Sequence, residues 1–230
     1  MENMISLKKV SKIYLQRNNP PLAAVCEIDL DAAYGEFVVI TGRSGSGKTT
    51  LLNLVAGLAK PSAGQVIING TDLWSLSDAR QAQLRNRKIG FVFQFPSLLP
   101  SLTVLENVIF PASPKNRDEK LQLIEAAKMQ LEDVGLTDKL TSFPRQLSAG
   151  QQQRAVIARA LINKPELILA DEPTSNLDEQ SEREIMTLFQ SIHSKRNVTI
   201  LLVTHTEQLV THGTRLIHMT SGSIDKDERI

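Results

Sequence analysis

The chain has 230 residues, 41% apolar and 22% charged, a composition that suits one substantial core, or one core with a smaller packed lobe. A net charge of +1 excludes the strongly basic balance of a general nucleic-acid binder, so no nucleic-acid partner is expected. The single cysteine, Cys26, excludes an internal disulfide and fits a reducing compartment, with a small buried role in a strand as its expected use. The start, Met1 to Lys9, has no apolar run of the kind a signal peptide carries. No segment approaches the roughly 18 apolar residues of a membrane span, so work at a membrane would need another chain to cross it.

Residues 5–15 and 23–32 alternate apolar and polar side chains as strands do, parted by the turn-forming cluster Arg17-Asn18-Asn19-Pro20-Pro21. Phe37-Val38-Val39-Ile40-Thr41 is an apolar, β-branched strand, and Thr50 to Gly57 is aliphatic enough for a buried helix. Between them lies Gly42-Arg43-Ser44-Gly45-Ser46-Gly47-Lys48-Thr49. Strand, glycine loop, helix is the setting that a phosphate-binding loop requires. Glycines let successive N–H groups turn inward on an anion, and the helix N-terminus adds partial positive charge. A nucleoside triphosphate is therefore expected here, with Lys48 reaching its β- and γ-phosphates and the Thr49 hydroxyl coordinating Mg²⁺. Tyr14, near the end of the first strand, reads either as a strand-edge aromatic or as a surface on which adenine stacks.

Lys60-Pro61-Ser62-Ala63-Gly64 is a turn into the strand Gln65–Ile68, and Asn69-Gly70 signals a hairpin. Ser77 or Asp78 caps a polar helix running to about Arg87. Ile89-Gly90-Phe91-Val92-Phe93 is a short buried strand that delivers Gln94. Phe95 to Leu102 is an apolar loop broken by two prolines, either a contact site or a segment tucked against a neighbouring helix. Residues 103–163 read as largely helical, with Leu121, Ile124, Leu131 and Val134 on one face and Ala149 to Asn163 as a second helix ended by Pro165. Leu167-Ile168-Leu169-Ala170 is a strand buried on both faces, ending in Asp171-Glu172. At the open edge of an α/β sheet Asp171 is placed to hold the Mg²⁺ shell, and Glu172 to orient or deprotonate an attacking water. Ile185, Leu188, Phe189 and Ile192 give a helix that packs on the sheet. Val198 to Val203 is the next buried strand, leading to Thr204-His205, and Arg215 to Ile224 forms a closing hairpin around Ser221-Gly222. There is no internal repeat, low-complexity segment or long linker.

Leu147-Ser148-Ala149-Gly150-Gln151-Gln152-Gln153-Arg154 resembles the signature of the ATP-binding-cassette family, usually written Leu-Ser-Gly-Gly-Gln. Other family elements follow in order: Gln94 as the Q-loop glutamine, Asp171-Glu172 as the acid pair, Ser175-Asn176-Leu177-Asp178 as the D-loop, and His205 as the switch histidine. The resemblance covers essentially the whole chain. It implies an α/β fold, a P-loop NTPase of RecA-like type with a parallel-sheet core, an antiparallel β subdomain and an inserted helical subdomain. The chain would then be one domain, with core and β parts in 1–94 and 165–230 and the helical signature part in 95–164. Within it the parallel sheet is expected from residues 33–94 and 165–214.

The resemblance also implies ATP and Mg²⁺, with Glu172, His205, Gln94 and Lys48 as catalytic residues and Thr49, Gln94 and Asp171 at the metal. Tyr14 and the stretch Gly42, Arg43, Ser44, Gly45, Ser46, Gly47, Lys48, Thr49 and Thr50 would hold the nucleotide. Two copies would pair head to tail, so that Ser148, Gly150 and Gln151 of one reach the γ-phosphate held by the other. Ala149 departs from the signature. It opens a helix, where φ is negative and alanine is tolerated, so an active site is expected. His193, His212 and His218 keep structural roles.

The segments Gly90-Phe91-Val92-Phe93-Gln94, Leu105-Glu106-Asn107-Val108, Thr174 to Asp178 and Leu202-Val203-Thr204-His205 look most like the ATPases of lipoprotein release, macrolide export and the bacterial cell-division complex. That likeness implies an integral membrane transporter subunit as partner, a peripheral place on the cytoplasmic face of the inner membrane, and an exporter or mechanotransmission complex. The alternative is a regulatory membrane-complex ATPase that signals by ATP-driven dimerisation and moves no substrate. Soluble cassettes of DNA repair or translation carry coiled-coil insertions or two cassettes, and this chain has neither. Phe95-Pro96-Ser97-Leu98-Leu99-Pro100 departs from the second glutamine usual in that subgroup and lies in the groove that would face the partner.

Overall fold

The fold is described from a computed structural model covering residues 3–15, 17, 20–112 and 114–230, with the backbone alone for Glu207 and Gln208. Met1 and Glu2 at the start of the chain, and Asn18 and Asn19 of the first expected turn, lie outside the described residues.

β1 (Asn3–Tyr14) pairs antiparallel with β2 (Leu22–Ala33), with irregular register on either side of Val10 that bends the long ribbon. β3 (Phe37–Thr41) is buried at every residue, and α1 (Lys48–Val55) follows the glycine loop. β4 (Ala63–Ile68) and β5 (Thr71–Asp72) close a two-residue hairpin, in which Asn69 and Gly70 at φ 49° and 71° turn as the Asn-Gly pair predicts. These strands, without β3, form a four-stranded antiparallel sheet in the order β2-β1-β4-β5.

α2 (Asp78–Lys88) runs directly into β6 (Ile89–Val92). A helical lobe of α3 (Val104–Ile109), α4 (Arg117–Asp133) and α5 (Ala149–Leu161) comes next. β7 (Leu167–Asp171), α6 (Glu179–Arg196) and β8 (Thr199–Val203) return the chain to the core, and β9 (Arg215–Thr220) and β10 (Ser223–Arg229) finish it. The second sheet has six strands in the order β10-β9-β3-β8-β7-β6, parallel throughout except for β10. This is the P-loop NTPase core with an antiparallel sheet beside it and a helical insertion.

Three local expectations need correction. The parallel sheet does not stop at residue 214: β9 lies parallel to β3 while it hairpins with β10, because Ile217 and Met219 have buried places on the sheet to fill. On α4, Leu121 is 55% exposed, and the buried residues are Ala127, Gln130 and Leu131. The first turn and a half of that helix overhangs solvent, and packing against the rest of the lobe begins at Leu123. Cys26 is half-buried rather than buried.

Alternation across β3 divides the interior. Val38 and Ile40 face α1 and the antiparallel sheet, whereas Phe37 and Val39 face α5, α6 and the helical lobe. The apolar loop after β6 is tucked in at Leu98, which is buried in the core beside the helical lobe, while Phe95 is 67% exposed. The fully buried Asn107 of α3 holds its path: Oδ1 accepts from the Leu99 N–H at 2.7 Å, and Nδ2 faces the carbonyls of Leu99, Leu102 and Thr103 at 3.1, 3.0 and 2.9 Å.

Candidate functional site

Because β3, β6, β7 and β8 run parallel, their C-terminal ends deliver four loops to one edge of the sheet. The loop after β3 is Gly42–Gly47. It is wedged between β2 and the β9–β10 hairpin so closely that glycine is required at its ends. A Cβ on Gly47, at φ 101°, would lie 2.2 Å from the Ala24 carbonyl oxygen, and one on Gly42 would lie 2.3 Å from that of Met219. The hairpin turn also holds the loop from behind, with the Gly222 N–H donating to the Ser46 carbonyl at 3.0 Å and the Cys26 N–H to that of Gly222 at 2.8 Å.

Lys48 is 5% exposed and its ammonium donates to the Gly42 and Arg43 carbonyls at 2.7 and 3.1 Å. Burial pushes its pKa down, opposed by the negative charges of Glu172 and then Asp171. No side chain caps α1, so its first N–H groups are open to an anion. The Ser46 hydroxyl is buried and has no hydrogen-bond partner among the described residues. Orphaned donor, uncapped helix and buried cation together fit a phosphate chain.

The Thr49 hydroxyl donates to Asp171 Oδ1 at 3.1 Å, which joins the start of α1 to the end of β7. Burial raises the Asp171 carboxyl above its usual range; the Thr49 bond pulls it back, the Glu172 charge raises it and Lys48 lowers it. Two hard oxygen donors side by side suit Mg²⁺, and no cluster of three or more His, Cys, Asp or Glu exists among the described residues. An ion that keeps several waters and takes phosphate oxygens fits that sparse set.

Glu172 sits at φ 44°, a left-handed conformation that costs a non-glycine residue roughly 1–2 kcal/mol. Its N–H donates to the Val203 carbonyl at 2.9 Å, and its Oε2 lies 3.2 Å from His205 Nδ1. Gln94 Nε2 donates to Ser175 Oγ at 3.2 Å. A cleft of about 380 Å³ is lined by Tyr14, Ala24, residues 44–50, Gln94 and Glu172. Tyr14 is 38% exposed, with the Lys12 ammonium 5.0 Å from its ring centroid, so it is a strand-edge aromatic that also walls this cleft.

Ser148, Gly150 and Gln151 do not line that cleft. They form the start of α5, where the Ser148 hydroxyl accepts from the Gln151 N–H at 3.3 Å and Gln151 Oε1 accepts from the Ser148 N–H at 3.0 Å. Ser148 and Ala149 are exposed, Gly150 is buried, and Ala149 has the negative φ expected of it. The expected residues thus fall into two groups, one around the cleft and one on the helical lobe. His193 and His218 are structural as expected, each within 3.0 Å of a partner (the Gly35 carbonyl and the Thr41 hydroxyl). Sequence reasoning placed Ser175 in the D-loop and Gly222 in the closing turn without giving their partners Gln94 and Ser46, and did not single out Ser181; these contacts join segments far apart in the chain.

Sheet order, glycine loop and paired carboxylates define a P-loop nucleoside triphosphatase. The ABC transporter family profile matches residues 25–175, and the chain belongs to that family as an ATP-binding, ATP-hydrolysing subunit. It is 42% identical to the lipoprotein-releasing system ATP-binding protein LolD of Shewanella oneidensis, over 98% of this chain and 97% of that one. It is 44% identical to an uncharacterized ABC transporter ATP-binding protein of Thermotoga maritima, over 100% and 97%. Among solved structures it resembles the dimeric, post-hydrolysis ATP-binding cassette MJ0796 bound to ADP and Pi, with a TM-score of 0.88 and 37% identity over 98% of both chains.

Proposed function

We propose that this chain binds ATP with Mg²⁺ in the Tyr14 cleft, pairs head to tail with a second copy through its signature, and hydrolyses ATP to drive a separate membrane-spanning exporter or mechanotransmission partner. Residues 42–50 cradle the phosphates, and Thr49, Asp171 and Gln94 hold the ion, which when bound neutralises charge on the transferring phosphoryl group. Glu172 takes the proton of the attacking water as its oxygen bonds to the γ-phosphorus and the bond to the β,γ-bridging oxygen breaks. His205 orients Glu172 and contacts the γ-phosphate. Ser148, Gly150 and Gln151 complete the pocket from the other copy.

The observation that carries this reading is the strained, hydrogen-bonded Glu172 facing His205 at the same sheet edge as the Thr49–Asp171 pair. A membrane partner is supported by the exposed aromatics Phe93 and Phe110, which line a groove with Arg85 and Arg159, and by exposed Phe95 in the loop that follows β6. No helix among the described residues is long and apolar enough to cross a membrane. The relatives named for lipoprotein release support an exporter-type complex, with this chain peripheral on the cytoplasmic face of the inner membrane.

The test is Glu172→Gln. ATP binding should persist, turnover should fall by about 10²–10⁴, and ATP-bound dimer should accumulate in light scattering. A variant that stays monomeric at saturating ATP would overturn the paired site for the isolated chain.

A further inference from the structure

The signature keeps glycine at one of two neighbouring positions. Ala149 is exposed, whereas Gly150 is buried. Neither has a positive φ, so the backbone makes no demand for glycine at either. Space does, at one of them. A Cβ on Gly150 would stand 3.1 Å from Ser181 Oγ and 3.3 Å from Ser181 Cβ, tighter than ordinary van der Waals contact. Ser181 is not free to step aside. Its N–H donates to Asp178 Oδ1 at 2.9 Å and its hydroxyl to Asp178 Oδ2 at 3.0 Å, in the cap that begins α6 and ends the D-loop.

We propose that Ser181 is a positioning residue: seated against Gly150, it locks the signature turn Ser148–Gln151 to the D-loop Ser175–Asp178, so that both meet the second copy as one surface. The proposal rests on the paired-site reading above. The Gly150 N–H can still meet the facing phosphate; what the contact inside one chain explains is why position 150 carries no side chain. A methyl group there drives the start of α5 away from α6 by a few tenths of an ångström. The single chain still folds with that shift, at a cost in stability. The pair cannot, because signature and D-loop have to reach the facing copy together.

The experiment is a double-mutant cycle in the Glu172→Gln chain, titrating ATP and following dimer formation by light scattering. Gly150→Ala should raise the ATP concentration for half-dimerisation by about tenfold or more, as expected for overpacking at a fixed contact. In the Ser181→Gly background, which removes both close atoms, the same Gly150→Ala change should have little effect. In the Ser181→Ala background, which leaves the Cβ, its effect should be intermediate. Melting of the nucleotide-free chains should follow the same order, since the contact exists without a partner. The proposal falls if Gly150→Ala pairs like its parent, or if its defect is as large with Ser181→Gly as with Ser181 present; the latter result would assign the glycine to the facing nucleotide. If the Glu172→Gln parent itself stays monomeric at saturating ATP, the paired-site reading fails and the positioning role fails with it, while the melting cycle still reads the contact.

Discussion

The Ser46 hydroxyl lies within the phosphate loop, where any Cβ at position 42 would come 2.7 Å from it, and no protein group among the described residues meets it. A buried hydroxyl without a partner costs about 1–3 kcal/mol relative to a satisfied one. Ser46→Ala should therefore leave the nucleotide-free chain at least as stable, and raise its Tm if the hydroxyl is not met by water. If phosphate or its water shell satisfies the hydroxyl, the same change should weaken ATP binding by about two- to tenfold, the worth of one hydrogen bond. Calorimetric titration and thermal melting read the two halves separately. Loss of Tm in the empty chain would show that the hydroxyl serves the fold. Lys48, Thr49 and Asp171 were legible as candidates because each stands in a short run whose flanks announce its strand or helix. Ser175 and Ser181 carried no such signal, since their partners Gln94 and Gly150 stand far off in the chain and meet them through the packing of α5, α6 and β6.

At the scale of elements, turns were easier to read than faces. Asn69-Gly70 and Ser221-Gly222 both adopt the positive φ pairs of tight hairpins, because residue type at a two-residue turn nearly dictates its backbone. The α4 face read from periodicity is buried at Leu131 and Val134 but exposed at Leu121, because periodicity shows which residues share a face but not how far along the helix that face finds a neighbour. Caps are local and therefore informative, and Asp178 at the start of α6 makes one that can be titrated. The Ser181 N–H, and then its hydroxyl, hold the Asp178 carboxyl below its ordinary value of 3.8. A lowered acid contributes stability above that value and loses it as pH falls through the folded pKa. Asp178→Asn keeps an acceptor without the charge that the helix N-terminus favours. The difference in Tm between the natural chain and this variant should be positive at neutral pH and shrink towards zero in acid below 3.8. A difference independent of pH would mean that the charge contributes nothing to the cap.

For the molecule as a whole, the question is whether the helical lobe is a separate unit. From sequence, residues 95–164 read as an insertion with its own apolar faces, and nothing in the spacing says what those faces meet. In the fold, Val104 and Val108 of α3, Ala127 and Leu131 of α4, and Ala155 to Ala158 of α5 share one buried cluster with Phe37, Val39, Ile168, Ala170, Ile200 and Leu202 of the sheet. Among the described residues the lobe has no core apart from that sheet face. Each side chain on the shared surface loses its burial if either part opens, and burial at roughly 25 cal/mol per Å² is the main favourable term in both. The chain should therefore unfold in one transition, with near-ultraviolet and far-ultraviolet dichroism coincident in denaturant. Residues 95–164 expressed alone should lack fixed structure. Because ATP binds the native chain and not the unfolded one, a hundredfold excess over Kd should stabilise it by about 2.7 kcal/mol. Both optical signals should move up together, although no residue of the lobe lines the cleft and Gln94 stands just before its start. Two resolved transitions, or ATP moving one optical signal while the other stays where it was, would show that the lobe folds by itself. The signature would then reach a second copy through a hinge, and the rigid link at Ser181 would have nothing to hold.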